Sequence, residues 1–282
     1  MKYEESSGGS LPKLTLLMEQ NKTSLTKSEL KVYDFVLKNL KEVIYQSLTE
    51  ISLACDIGES TVLRFCRKLG FKGYQDFKFA LAQELASINH SESDETFIDR
   101  VKNSMVETIH NTYEIVDHEE LQKVIDHIIE TDNVIVYGVS SSGIAGLDMQ
   151  NRLMRIGKHI EVITDSHMQV TRSISVSSKT LIIAISLTGS TKDIVDAVKV
   201  AKKNNAKVVA ITNYIKSPLT KFADHLLLTS AKENPLDSGS LISKVSQLFV
   251  FDLICTGISI KLYDQAKKNK ERVAEEISTK FY

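Results

Sequence analysis

The sequence predicts an all-α helix-turn-helix domain followed by an α/β domain whose five-stranded parallel sheet carries helices on both faces. Three observations predict it. Between Ser47 and Leu69, two short helical patterns flank a tight Asp56-Ile57-Gly58 turn, the spacing of a helix-turn-helix. From Leu121 to Leu262, short β-branched runs alternate with helical periodicity, as in a parallel sheet with crossover helices. Between these regions Asn89–Thr96 (NHSESDET) is polar, acidic and aperiodic, which marks a boundary. The expected domains are residues 1–88, with 1–13 a flexible tail, a linker at 89–96, and residues 97–282, with a core at 121–262 and flanking helices.

A chain of 282 residues suits two domains at ~100–200 residues each. Its 25% charged and 42% hydrophobic residues are ordinary for a soluble protein. The net charge of −1 leaves room for a basic patch confined to one domain. Cys55, Cys66 and Cys255 lie far apart with no CxxC or Cys/His cluster, so neither disulfides nor a metal site is expected. The polar start MKYEESSGGS lacks an apolar signal core, and no uninterrupted run approaches the ~20 apolar residues of a membrane span. A cytoplasmic protein without a membrane partner is expected.

In the first domain, Thr26 with Glu29 three residues on has the form of a capping box. Leu30, Val32, Tyr33, Val36, Leu37 and Leu40 follow at helical spacing. Ser47 or Thr49 opens a second helix, and Gly58 is expected to give the turn its backbone freedom. The third helix, from Glu59 or Ser60 to about Leu69, buries Val62, Phe65, Cys66 and Leu69. It presents Ser60, Thr61, Arg64, Arg67 and Lys68, with Lys72 just beyond. Glu59 to Lys78 holds five basic residues against two acidic ones, a cluster placed to neutralise phosphates. The second helix of such a pair enters the major groove, so the expected partner is double-stranded DNA.

The stretch STVLRFCRKLGFKGYQDFKFALAQEL, within Leu25–Leu85, resembles the DNA-binding domain of the RpiR family of bacterial transcriptional regulators. That resemblance implies Ser60, Thr61 and Arg64 near bases of an operator, and Arg67, Lys68 and Lys72 on phosphate. Gly70 and Gly73 are expected to set the bend into a fourth helix, Tyr74 to about Ser87.

Past the linker, Phe97, Ile98, Val101, Met105, Ile109 and Val116 follow at helical intervals. That helix either covers the sheet or pairs with a second copy. Strands are expected at 133–137, 159–163, 180–185, 207–212 and 225–228, and a long apolar helix from Leu241 to about Leu262. Two strand ends carry chemistry. After Leu181–Ile185 come Ser186, Thr188, Ser190 and Thr191 around Gly189, then helical spacing from Ile194. Hydroxyls and free N–H groups at a helix start make an anion site. The other loop is Gly138-Val139-Ser140-Ser141-Ser142-Gly143, with its helix read from Ile144. Ser140 occupies the second glycine of a dinucleotide fingerprint, and Ile144-Ala145 the Lys-Ser/Thr of a P-loop. Both nucleotide readings therefore fail, and no cofactor is expected. A charged amphipathic helix from Lys261 to Tyr282 closes the chain.

This pair of loops resembles the sugar isomerase (SIS) domain, a flavodoxin-like fold that binds phosphosugars, over roughly Leu121–Leu262. The likeness implies that Ser140, Ser186, Thr188 and Thr191 hold a phosphate, with Ser141, Ser142 and Ser190 beside it and Gly189 allowing close backbone approach. Ser190 and Leu187 stand where family members often carry Glu and Gln. His167 and Glu233, beyond the second and fifth strands, are the candidates for the base and acid that isomerisation would need. But Asp165-Ser166-His167 resembles regulators of the RpiR family, which implies that His167 contacts the effector. Both residues are expected to bind the phosphosugar, and no catalytic residue is expected. A domain joined to a DNA reader needs binding rather than turnover. The expectation is a non-enzymatic, homo-oligomeric regulator (dimer or tetramer) with a sugar phosphate effector; the alternative is a phosphosugar isomerase with a vestigial DNA-binding domain.

Overall fold

The computed structural model describes residues 14–89, 96–231 and 241–278. The expected tail at 1–13, most of the linker (90–95), Glu233 and the last four residues of the expected closing helix (279–282) lie outside the described residues. The chain forms two compact units, one helical and one α/β.

The helical unit comprises α1 (Leu14–Asn21), α2 (Lys27–Lys38), α3 (Leu40–Val43), α4 (Leu48–Ala54), α5 (Glu59–Lys68) and α6 (Tyr74–Asn89). Capping boxes start α2 at Thr26/Glu29 and α4 at Ser47/Glu50. Each satisfies two N–H groups that a helix start leaves open. Val62, Phe65 and Cys66 turn inward from α5, and Phe77 meets Phe65 and Phe71 edge to face at centroid distances of 5.8 and 5.5 Å.

Three features differ from expectation. In the turn, Asp56 rather than Gly58 takes the left-handed conformation (φ 51°), which a short polar side chain tolerates. Gly58 is extended and caps α5. Gly70 is left-handed (φ 92°) at the end of α5 and Gly73 is not, so the bend uses one glycine. Helix α1 was absent from the sequence reading; its Leu14 and Met18 are buried against the other helices.

In the α/β unit the elements are α7 (Phe97–Ile115), α8 (His118–Glu130), β1 (Asn133–Tyr137), α9 (Ser140–Arg155), β2 (Glu161–Ile163) and α10 (Ser166–Ile174). They continue as β3 (Thr180–Ile185), α11 (Lys192–Lys203), β4 (Lys207–Thr212), β5 (His225–Leu228), α12 (Ile242–Lys261) and α13 (Tyr263–Ser278). All strands pair in parallel, in the order β2-β1-β3-β4-β5. Period-two alternation splits the strand residues between two cores. Val134, Val136, Ile183 and Val209 pack with α8, α9 and α12, while Ile135, Ile182, Ala184 and Val208 pack with α11.

By length and composition α12 is apolar enough to cross a membrane, with a mean hydropathy of 1.3. Here it is a core helix, burying Val250, Phe251, Ile254 and Ile258 against the sheet layer. All three cysteines are free and buried. Burial pushes the Cys66 thiol up to about 12 and that of Cys255 up to about 11, so neither is a ready nucleophile.

One ion pair with a buried carboxylate ties the helical unit. Glu29 is 2% exposed and accepts from Lys68 Nζ at 2.7 Å, which also donates to Ser24 O at 3.0 Å. Burial raises the carboxyl pKa, but Lys68 and the Thr26 N–H and hydroxyl outweigh it, so the net direction is down. A lowered folded-state pKa adds stability that is present above the unfolded value of ~4.3 and is lost as pH falls through the folded value. Glu29→Gln should cost ~1–3 kcal/mol at pH 7. The cost should shrink toward pH 3 in urea titrations followed by circular dichroism.

Candidate anion site and nucleic-acid interface

In the α/β unit the chain leaves β1 for β2 on one side and later returns to place β3 on the other. This reversal of strand order is where such sheets open a crevice at their carboxyl ends. Tyr137 of β1 lies in register with Ala184 of β3, so the two hydroxyl-rich loops emerge side by side. The sequence had singled out both loops, and the topology makes them neighbours.

The first loop is held by close backbone packing. A Cβ on Gly138 would lie 2.9 Å from the Gly143 N, and one on Gly143 would lie 2.9 Å from the Gly138 O and 2.7 Å from Thr164 Cγ2. The helix starts at Ser140 rather than near Ile144, so Ser140, Ser141 and Ser142 occupy its first turn. There, backbone N–H groups have no acceptor within the helix. Ser140 is left-handed (φ 52°), a conformation costing a non-glycine residue ~1–2 kcal/mol. Ser140 is exposed, and Ser141 and Ser142 are half-buried.

In the second loop Ser186 is buried and its Oγ lies 2.9 Å from Thr191 Oγ1. Thr188 Oγ1 accepts from the Ser190 N at 3.2 Å. Gly189 is left-handed (φ 60°), and a Cβ there would meet Ser217 Oγ at 2.1 Å. The Thr191 side chain makes no cap on α11; its hydroxyl is turned to Ser186 instead. Neither loop contains Lys or Arg, and Lys192 beyond it pairs with Asp196. An anion here would be met by hydroxyls, N–H groups and two helix dipoles.

His167 is the second residue of α10, just past β2, and its side chain is exposed. Because β2 adjoins β1, it stands at the same end of the sheet. Its expected companion Glu233 lies outside the described residues.

The sequence reading missed two buried glutamines and one polar pair. Gln169, fully buried, donates from Nε2 to the Ile163 O at 2.7 Å and the Gly138 O at 3.2 Å, joining the ends of β1 and β2. Gln247, 1% exposed, donates from Nε2 to Ser142 Oγ at 3.0 Å. The Oε1 atoms of both are buried with no partner among the described residues. Thr212 Oγ1 and the Asn213 N both donate to the Leu187 O, at 3.1 and 3.0 Å. Asn213 in turn bonds the Ala231 O at 2.7 Å, and the adjacent Ser230 N donates to Thr112 Oγ1 on α7 at 3.1 Å. The usable signal was a polar residue on a buried stripe: Gln247 falls between Ser243 and Val250 on the inner face of α12. A separate concave space of about 620 Å³ lies at the far end of α9, near Arg152, Arg155 and Lys270. No residue of either hydroxyl-rich loop lines it.

On α5, Ser60, Arg64 and Arg67 are exposed, as is Lys72 beyond it. Two expected DNA contacts stand differently. Thr61 is 7% exposed and accepts from Arg64 Nη2 at 3.1 Å, so it orients the arginine from below. Lys68 is exposed as well but is engaged by Glu29 and Ser24, because the last turn of α5 brings it over the start of α2.

Residues 13–88 match the helix-turn-helix domain of the rpiR family, and residues 127–257 match the SIS domain. The chain is 32% identical over 270 residues to an uncharacterized HTH-type transcriptional regulator of Clostridium perfringens, covering 92% of this chain and 97% of that one. It is 27% identical over 259 residues to the HTH-type transcriptional regulator HexR of Escherichia coli, covering 89% of each. The solved structure of Vibrio vulnificus NanR complexed with ManNAc-6P matches with a TM-score of 0.85 at 29% identity, over 95% of this chain and 99% of that one. The sugar isomerase domain of an RpiR transcription factor from Sphaerobacter thermophilus shares the α/β fold, with a TM-score of 0.59 at 21% identity, over 64% of this chain and 99% of that one. Fold and motifs define a helix-turn-helix regulator joined to a sugar-isomerase-type domain. The chain belongs to the RpiR family of DNA-binding transcriptional regulators.

Gly143→Ala should destabilise the α/β unit by ~1–3 kcal/mol, because the facing Gly138 carbonyl cannot yield as a side chain would. Gly73→Ala, with no atom within 4 Å of the added Cβ, should change denaturation midpoints little.

Proposed function

We propose that a sugar phosphate bound at the β1/β3 switch point controls the affinity of this regulator for its operator. The observation that carries this reading is the adjacency of the two hydroxyl-rich loops, each opening a helix, at the carboxyl ends of neighbouring parallel strands. Ser140, Ser141 and Ser142 from one side and Ser186, Thr188, Gly189, Ser190 and Thr191 from the other surround the phosphoryl group. His167 contacts the sugar. NanR's complex with ManNAc-6P makes that compound the first probe.

The site acts as a sensor rather than an isomerase. Isomerisation needs a base held at the reacting carbons, whereas the imidazole of His167 is exposed at the start of α10. The regulator works in the cytoplasm on double-stranded DNA, with Ser60 and Arg64 at base edges and Arg67 and Lys72 on phosphates. It acts as a homo-oligomer, since one small helix-turn-helix reads one half-site. Near the start of α7, Phe97 and Val101 are exposed on the same helical stripe that further along buries Thr108 and Thr112, with Ile98 beside them. This uncovered apolar stretch supports pairing through that helix. Control requires the effector to bind the DNA-competent and DNA-incompetent arrangements with different affinity.

A thermal-shift screen of sugar phosphates tests the reading: a true effector at a hundred times its dissociation constant adds ~2.7 kcal/mol. Ser186→Ala and Thr188→Val should remove that response while operator binding persists. An unchanged response would place the ligand elsewhere. Arg64→Ala should weaken operator binding by ~1–3 kcal/mol and random DNA less. Equal losses on both would make Arg64 a phosphate contact.

A further inference from the structure

Gln247 is the described side chain that reaches the first loop from α12, a helix more than a hundred positions away in sequence. Its Nε2 lies 3.0 Å from Ser142 Oγ, it is 1% exposed, and its Oε1 is buried with no partner among the described residues. The unpaired oxygen carries the cost of a buried acceptor, as it does in Gln169, but the Gln247 donor ends on a hydroxyl of the anion loop where the Gln169 donor ends on backbone carbonyls. The geometry is one-sided: the amide nitrogen is committed to the serine and the oxygen to nothing.

A serine hydroxyl has one proton and two lone pairs. Where Gln247 donates to one lone pair, the proton cannot also be given to Gln247 and is free for another acceptor. Ser142 stands in the first turn of α9, among N–H groups that have no acceptor within the helix. With no Lys or Arg in either loop, each oriented O–H matters to an anion. We propose that Gln247 is a positioning residue of the anion site, which sets Ser142 to donate its proton to a bound phosphoryl group. The proposal rests on the switch-point reading of the site given above.

Titration calorimetry on the full chain tests it, with ManNAc-6P and inorganic phosphate as probes and Ser142→Ala, Ser186→Ala, Gln247→Met and Gln247→Glu as variants. Gln247→Met keeps the side-chain length, removes the donor and also removes the unpaired oxygen. It should weaken binding about 10–100-fold, the range of a hydrogen bond to a charged group, with the melting temperature held or raised. In a Ser142→Ala background the same change should cost little more, because the hydroxyl it orients is gone. Gln247→Glu should bind worst at about pH 8, where a carboxylate only accepts. It should recover relative to the wild type toward about pH 5, as a protonated carboxyl can again donate.

Wild-type affinity in Gln247→Met, or losses in Gln247→Met and Ser142→Ala that simply add, would overturn the positioning role. If Ser186→Ala loses the probe while Gln247→Met keeps it, the site stands and this inference alone falls. If Ser142→Ala and Ser186→Ala both bind as the wild type does, or the wild type binds neither probe, the site reading falls and takes this inference with it.

Discussion

The α/β unit depends on one constraint: β1 and β3 are hydrogen-bonded neighbours although β2 lies between them in sequence. That reversal sets two strand ends side by side, and each strand leads through a short loop into a helix. The starts of α9 and α11 are therefore brought to one place by the sheet, not by contacts between the loops. Backbone packing then sharpens the arrangement. Gly138 and Gly143 approach so closely that neither tolerates a side chain, which pulls the first turn of α9 against the strand. Ser140 takes a left-handed backbone in the space between them. Strain of this kind persists where the surroundings over-determine it, and it is found at binding sites.

Around the two loops lies a shell of buried amides and hydroxyls. Gln169 joins the ends of β1 and β2, Gln247 reaches Ser142 from α12, and Thr212 with Asn213 fixes the Leu187 carbonyl. The same asparagine bonds the segment after β5, whose Ser230 is tied to Thr112 on α7. The second loop is thus connected through hydrogen bonds to the helix that opens the α/β unit. In the helical unit the equivalent role falls to Glu29 and Lys68, which hold the last turn of α5 to α2. Arg64 and Arg67 are left exposed on the same helix. Lys68, which stabilises the fold, directly follows Arg67 in sequence.

Most elements were readable from local pattern because their causes are local. Thr26 with Glu29 announces α2, and the run Leu181–Ile185 announces β3, since capping and burial on both faces leave a signature within a few residues. The loops were readable too, as hydroxyl and glycine clusters at strand ends. Helix α1 was not, because Leu14 and Met18 gain their meaning from α6 and its neighbours rather than from a cap. The turn was placed correctly, but its strained residue was not: sequence favours Gly58 for a left-handed backbone, and the structure gives that conformation to Asp56. Thr61 was indistinguishable from a groove-facing residue until the packing of α5 was known, and the Glu29 partner of Lys68 was not legible.

By itself the sequence determined the fold class, the order of helices and strands, the family to which the chain belongs and the two loops rich in hydroxyls. Short-range chemistry suffices for these, because periodicity, caps and turn residues act over a handful of positions. Only the tertiary structure decided that the loops after β1 and β3 adjoin, that the serines of the first lie within a helix turn, and that Gln169 and Gln247 close in from distant helices. Strand order is a choice among topologies with the same local pattern, and a buried amide becomes informative only once its partner, a hundred residues away, is brought within reach of a hydrogen bond.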